Sequence, residues 1–558
     1  MTERTNRDDR SAAFPTLARG QIEVLKRFGE VREIEEDEVL FKEGDASYDF
    51  IVILEGLVEI RENFRGESRT VARHGAGRFL GEMNLFTGQA VYLTALVTEP
   101  GEAIFIPPER LKEIVAEEPG LSELILRAFL MRRVILSGLG TGLKVVGSRY
   151  SEDTLRLREF AVRNGIPHAW IDLEEDEGSE ALLREFGVEP SETPVVIWQG
   201  TDVLRNPTNA ELSRAIGLGA DVTPEDTYDL VVIGAGPAGL AASVYGASEG
   251  LSTIALDAVA PGGQAGTSSR IENYLGFPAG LSGSELASRA MIQADKFGAR
   301  FPGPREVVGL RRENGLYRVA LSDGEEVAGR SVIIATGARY RRLDAPRLED
   351  FEGVSVYYAA TEVEAQMCAG SEVIVVGGGN SAGQAAVFMA GRTRKVYVLI
   401  RGGDLSRGMS RYLVNRVEGT PNIEVLTRTE VRELLGDEHL EGVIVEDNSS
   451  GERRTLGARA VFVFIGADAH TEWLEDVLEL DGRGFVVTGP SLESSDGVAW
   501  PLARDPFLLE TSLPGVFAAG DARSGSVKRV ASAVGEGSMA VRFVHQYLLE
   551  SRVEAVSG

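Results

Sequence analysis

The chain has 558 residues, 43% of them hydrophobic, with 58 basic against 85 acidic side chains and a formal charge of -27. That length predicts several domains at roughly 100–200 residues each. So acidic a balance argues against a nucleic-acid backbone as partner, since such binding needs clustered Lys and Arg, while it favours solubility and can steer a basic protein. The first ten residues, Met1 to Arg10, are charged and lack the apolar core of a secretory signal. No apolar run reaches the ~20 residues of a membrane helix. With one cysteine, Cys368, an intrachain disulfide is excluded. The expectation is a soluble cytoplasmic protein without a membrane or nucleic-acid partner.

Residues 1–140 read as short strands separated by turns, at 39–45, 50–56, 57–60 and 70–73, with a glycine-rich turn from Gly75 to Gly81. Regular strand spacing of this kind predicts a β-roll. Apolar steps of three and four predict one helix over 111–136. The segment resembles cyclic-nucleotide-binding domains, whose phosphate cassette matches 81–95 here without a gap. The resemblance places Glu82 at the acid that meets a ribose hydroxyl and Val91 where the phosphate-pairing arginine stands. A buried phosphate without its guanidinium forfeits a charge-assisted contact, on the order of a few kcal/mol. Two readings stay open: a degenerate pocket, or one that holds another small ligand.

Residues 141–218 alternate strand (143–147), helix (152–164), strand (168–172), helix (179–186) and strand (193–198), the last opening on Thr193-Pro194. This order resembles a thioredoxin- or glutaredoxin-type domain, which implies a cis proline there. The two thiol positions of that fold are Ser148 and Ser151, so the module carries no redox disulfide. It is either a docking surface or a spacer. A small, polar stretch with one proline, Gly219 to Asp226, reads as the linker to the C-terminal half.

An apolar strand over 230–233 then runs into Gly234, Gly236, Pro237, Ala238 and Gly239. The first glycine permits a tight turn, the second lets a pyrophosphate approach the backbone, and the third lets the helix pack closely. The helix start offers unpaired N–H groups to phosphate. The next strand ends at Asp257, at the spacing that accepts ribose hydroxyls. Further stretches contain Gly263 and Gln264, then Asn273, then Ala335, Thr336 and Gly337, and finally Gly520 and Asp521 followed by Arg529, Val530 and Ala531. From about Asp226 to the C-terminus the chain resembles thioredoxin-reductase-type flavoproteins. That resemblance implies FAD, with Asp521 on its ribityl chain and 529–531 at the flavin ring.

A second fingerprint lies at 373–383, with Gly377, Gly379 and Ala382 in the three special places and Asn380 and Ser381 between them. The strand after it ends in Arg401 where the first motif has an acid. Arginine there welcomes a 2′-phosphate, so NADPH is favoured over NADH, with Arg407 and Arg411 as further candidates. The family pattern is a His-Arg-Arg run; here it is Ile400-Arg401-Gly402.

Thioredoxin reductases carry a cysteine pair before this motif. The similar stretch here, 358–362, has Ala359 and Glu362 in those positions, and Cys368 falls later as a buried, inert thiol. Glu362 is either a proton donor near the flavin or, as favoured, a helix-start acid. The expected architecture is a β-roll (1–140), a thioredoxin-like domain (141–218), and two Rossmann-like α/β domains. These are an FAD domain (226–350 and 471–558) and an inserted NAD(P)H domain (351–470). The expected activity is an FAD-dependent NADPH oxidoreductase passing hydride from NADPH to FAD and on to an external acceptor. That acceptor is a ferredoxin- or flavodoxin-like carrier, a thiol protein or a quinone. The alternative is a flavin-based redox or ligand sensor with little turnover. Relatives of this type imply a homodimer, and no residue cluster suggests a metal.

Overall fold

A computed structural model describes residues 12–557 apart from 65, 66, 140, 177, 220–225, 269, 270, 438 and 495–499. The N-terminal stretch Met1 to Arg10 and most of the linker lie outside the described residues. The chain divides into two compact units, Met1–Asp221 with Phe301–Pro304, and Val222–Arg300 with Arg305–Gly558. Among the described residues no helix is long and apolar enough to cross a membrane.

In the first unit, an antiparallel sheet runs in the order Glu30–Ile34, Thr94–Ile106, Phe50–Phe64, Glu67–His74. The strands expected at 50–56 and 57–60 are one 15-residue strand. Gly56, with φ +96°, does not end it; the register slips on either side as in a bulge, and an added Cβ would meet the Glu99 carbonyl at 2.6 Å. The helix expected over 111–136 is two, Pro108–Glu117 and Pro119–Gly138. Pro119 has no N–H to continue the ladder and drives Glu118 out of the helical region, to φ -116° and ψ 82°.

Arg132, on the second of these helices, is 5% exposed and ties the roll together. Its guanidinium donates to the carbonyls of Ala13, Gly81 and Phe79 at 2.9, 2.6 and 2.9 Å. Arg132→Met would leave three carbonyls without their donors. The expected loss is roughly 3–5 kcal/mol, seen as an early transition in a calorimetric melt. A melt that superimposes on the parent's would refute it.

A second, four-stranded sheet comes next in the order Asp202–Arg205, Val195–Trp198, Leu143–Gly147, His168–Asp172, with Leu143–Gly147 and His168–Asp172 parallel. The Thr193-Pro194 bond is cis. This sheet is not a bead on a string. Ile53, Val58, Tyr92, Val145, Phe160, Trp198 and Ile216 belong to one buried cluster spanning both sheets. Lys144 and Glu62 form a buried ion pair at 2.9 Å, and the Ala90 N–H donates to the Ile216 carbonyl at 3.2 Å.

Besides a two-stranded ribbon and a three-stranded antiparallel sheet of Thr429–Gly436, Leu440–Asp447 and Arg453–Gly457, the second unit holds two larger sheets. In the first, Thr227–Ile233 lies between the parallel strands Thr253–Leu256 and Glu326–Ile334; Leu316–Leu321 and Val307–Glu313 extend it antiparallel. Late in the chain Val516–Ala518 pairs with Glu326–Ile334, opposite Val332 to Ile334. The other sheet is parallel, in the order Val356–Tyr357, Ala460–Val463, Glu372–Val376, Lys395–Ile400, Ile423–Thr427. A two-stranded ribbon, Ala338–Tyr340 against Ala467–Ala469, carries the chain out of and back to the first sheet. Each sheet has its own apolar cluster, around Val231 and Ile334 in one and Ile374 and Val461 in the other.

Candidate functional site

The first glycine turn is set by backbone contacts that leave no room for side chains. Gly234 has φ +100°, and a Cβ on it would sit 2.3 Å from the Ala335 carbonyl. On Gly239 a Cβ would fall 1.8 Å from the Gly234 carbonyl oxygen, so helix Pro237–Ser248 meets its own strand at this residue. Gly236 caps that helix without a side-chain bond, leaving its first N–H groups unused. A Cβ on Gly236 would make only an ordinary contact, with Gly263 Cα at 3.8 Å, while one on Gly263 would press on Gly236 Cα at 2.9 Å. The two glycines are thus packed Cα against Cα, leaving bare backbone at the turn.

Around this turn stand most of the expected partners. Asp257 accepts the N–H of Ala235 at 2.9 Å and those of Val259 and Ala260 at 3.0 Å, so it braces the turn in addition to the ribose role expected of it. Gln264 donates its amide to the Ala338 carbonyl. Thr336 Oγ1 is buried without a hydrogen-bond partner, and Gly337 beside it has φ +71°. Gly520 has φ +75° and would bring a Cβ to 3.0 Å from that of Ala238; its N–H donates to Glu536 at 2.7 Å. Burial pushes the Asp521 carboxyl above the usual carboxylate range, against the pull of Lys528. Arg529 and Ala531 are exposed and Val530 half-buried where helix Val530–Ser557 begins. Asn273 is exposed on the loop after Ile271.

The second turn repeats the design with a shift. Gly377 has φ +138° and would clash with the Phe464 carbonyl at 2.3 Å. Gly379 caps helix Asn380–Ala390 with no side-chain bond and nothing within 4 Å of an added Cβ. Ala382 is buried, but the tight approach falls on Gly383, where a Cβ would meet Leu413 and Met409 at 2.7 Å. Ser381 is exposed. Asn380 turns its side-chain oxygen to the Ser410 N–H at 2.7 Å, tethering the loop after Arg401.

Arg401 is 78% exposed, and the carboxylate paired with it, Glu430, is 3.8 Å away. Arg407 closes the short turn Leu405–Arg407, and Arg411 opens helix Arg411–Glu418. Sequence reading missed Arg428, which lies just past the neighbouring parallel strand with φ +53°. Its N–H donates to the Gly402 carbonyl at 2.9 Å, and its guanidinium Nε would lie 3.7 Å from a Cβ on Gly403. The signal available was its place one residue past an apolar strand beside that of Arg401.

No thiol stands at the two positions that hold the dithiol in thioredoxin reductases. Glu362 heads helix Glu362–Met367 and is held by both arms of Arg392, at 2.7 and 3.2 Å, as a helix-start acid on the surface. Cys368 is 1% exposed, and burial pushes its thiol up to about 12. In the β-roll, Val91 is buried in the wall of a cavity, and both Glu82 oxygens lack a hydrogen-bond partner, with Arg133 3.6 Å away.

The pyridine nucleotide-disulphide oxidoreductase family matches residues 228–537, more than half of the chain. The chain belongs to this family. The cyclic nucleotide-binding domain family matches residues 31–118. Thioredoxin reductase of Mycoplasmopsis pulmonis is 32% identical over 314 residues, covering 56% of this chain and 95% of that protein. Thioredoxin reductase of Bacillus subtilis is 31% identical over 332 residues, 59% of this chain and 97% of that one. The crystal structure of Lactococcus lactis thioredoxin reductase superposes with a TM-score of 0.52 at 26% identity, over 58% of this chain and 99% of that chain. The protein is therefore an oxidoreductase and flavoprotein of the thioredoxin-reductase type, whose family uses FAD and NADPH. Cys368→Ser and Glu362→Gln are expected to leave NADPH oxidation within about twofold of the parent, since the thiol is buried and the carboxylate is tied to Arg392. A loss of tenfold or more in either variant would return that residue to the chemistry.

Proposed function

We propose that the chain is an FAD-dependent NADPH oxidoreductase that hands electrons to an external acceptor without a dithiol of its own. FAD supplies, when bound, the two-electron relay between nicotinamide and acceptor. The observation that carries this reading is the pairing of two open glycine turns with a chain whose one thiol is buried. The side-chain-free backbone at Gly236 and Gly263, the start of helix Pro237–Ser248 and the orphaned Thr336 hydroxyl fit a dinucleotide. Asp257 and Asp521 would take its ribose and ribityl hydroxyls, with Gln264, Asn273, Ala335, Gly337 and Gly520 around it and 529–531 at the ring.

Gly377, Gly379, Asn380, Ser381 and Ala382 would hold NADPH, with Arg401, Arg407, Arg411 and Arg428 meeting the 2′-phosphate. In this reading the NADPH domain (351–470) is inserted between the halves of the FAD domain, and 141–218 is a thioredoxin-like domain without thiols. The strand order around Val516–Ala518 and the serines at 148 and 151 support it. The acceptor is a protein disulfide, an iron–sulfur or flavin carrier, or a quinone, and the working form is a homodimer.

Anaerobic mixing with NADPH, and separately NADH, tests the reading through the visible absorbance of the flavin. Bleaching by NADPH, with recovery on adding one of these acceptors, is expected. No bleaching by either nicotinamide in flavin-loaded protein would overturn it. The second reading, a ligand or redox sensor, is favoured by the cavity in the β-roll; bleaching without turnover on any acceptor would put it first.

A further inference from the structure

The β-roll carries a partly open cavity of about 270 Å³ whose wall is largely apolar, with Phe41, Ile60, Leu80, Val91, Leu93 and Leu136 prominent. Among its charged lining residues, Arg73 is bound to Glu59 at 2.8 Å, and Glu82 faces Arg133. Arg132 gives its N–H groups to three carbonyls. Arg78 is different. Among the described residues it has no carboxylate partner, and its bond to the Arg73 carbonyl is long, at 3.4 Å.

Beside this corner lies His74, 2% exposed, its ring edge-on to Phe14 with centroids 5.4 Å apart. Its Nδ1 has no hydrogen-bond partner. Burial, with Arg132 and Arg78 near, holds its pKa well below the ordinary value, so the ring is neutral at pH 7 and offers one N–H in either tautomer. A guanidinium at an apolar cavity, with no carboxylate partner among the described residues, is available to an anion. Its planar fork matches a carboxylate with two parallel bonds. Val91 stands where cyclic-nucleotide-binding domains place their phosphate arginine, so a cyclic phosphate seated in that manner has no cation at its own position.

We propose that this cavity binds an apolar monocarboxylate, its acyl or aromatic body among Phe41, Ile60, Val91 and Leu93 and its carboxylate on Arg78 with His74 beside it. The site is independent of the flavin chemistry. A ligand of this class meets three features of the wall at once: the guanidinium without a carboxylate, the orphaned imidazole and the apolar surface.

The test is calorimetric titration of the full-length holoprotein with decanoate, 2-naphthoate, decan-1-ol and cyclic AMP. At least one of the two acids is expected to bind, the pair distinguishing a chain from a ring as the body. Arg78→Met is expected to weaken that acid at least tenfold and to leave decan-1-ol unchanged. Ala72→Trp, which fills the cavity, is expected to abolish binding while flavin content and circular dichroism stay at the parent's values. Binding by neither acid, acid binding that survives Arg78→Met or Ala72→Trp, or cyclic AMP binding tighter than both acids would each overturn the proposal. Should Ala72→Trp fail to fold, Arg78→Met decides alone, since among the described residues Arg78 holds no ion pair that the fold needs.

Discussion

Gly239→Ala is expected to yield protein that is purified without flavin and melts early, whereas Gly236→Ala is expected to fold normally and hold flavin poorly. The two substitutions add the same methyl group one helical turn apart. At Gly239 that methyl would lie 1.8 Å from a backbone carbonyl oxygen. A backbone wall cannot rotate away, so strand and helix must separate, at the upper end of the roughly 1–3 kcal/mol typical of overpacking or beyond. At Gly236 the nearest atom would be 3.8 Å away, an ordinary contact. The apoprotein should therefore melt with the parent, while the methyl intrudes where a pyrophosphate approaches the backbone. A tenfold loss of FAD affinity, about 1.4 kcal/mol, is the least expected. Flavin absorbance per protein after desalting, beside a calorimetric melt of each apoprotein, reads both effects. Parent-like flavin retention in Gly236→Ala would mean that the cofactor does not lie against the Gly236 backbone.

Arg401→Ala combined with Arg428→Ala is expected to cut the rate of flavin bleaching by NADPH at low concentration roughly thirty-fold, each single change costing roughly fivefold, with NADH little altered. Both guanidinium groups are exposed, and the weak contact of Arg401 with Glu430 at 3.8 Å leaves it available. The 2′-phosphate is the one group that NADPH has and NADH lacks, so a cation that reads it changes one reaction alone. Exposed charges are screened, and the gap between parent and variant should narrow as salt rises from low to physiological strength. Equal losses with both nicotinamides would show that these arginines support the fold of the loop instead.

The glycine turns were readable because their chemistry is local. Gly234, Gly239 and Gly377 sit where the chain itself forbids a side chain, and a strand–turn–helix pattern announces such places. What stayed hidden was nonlocal. Nothing in the sequence around Arg428 ties it to Gly402, since they meet only through adjacent strands of one sheet. The close-packing duty of Gly383 rather than Ala382 depends on Leu413 and Met409, some thirty residues on. The strand break expected after Gly56 failed for a related reason. A positive-φ glycine ends a strand when its neighbours diverge, but here Thr94–Ile106 tracks the chain across the bulge. The single helix expected over 111–136 ignored Pro119, although the proline was in plain view.

The common interior of the first unit also bears on how its ligand pocket could be transplanted. An engineer wishing to move the β-roll onto another enzyme would be tempted to cut after residue 140. That cut would strip Val145, Phe160 and Trp198 from Tyr92 and Val58, and would leave the Glu62 carboxylate without Lys144. The portable piece is the whole stretch through Leu218, and any graft should treat its two sheets as one inseparable cassette.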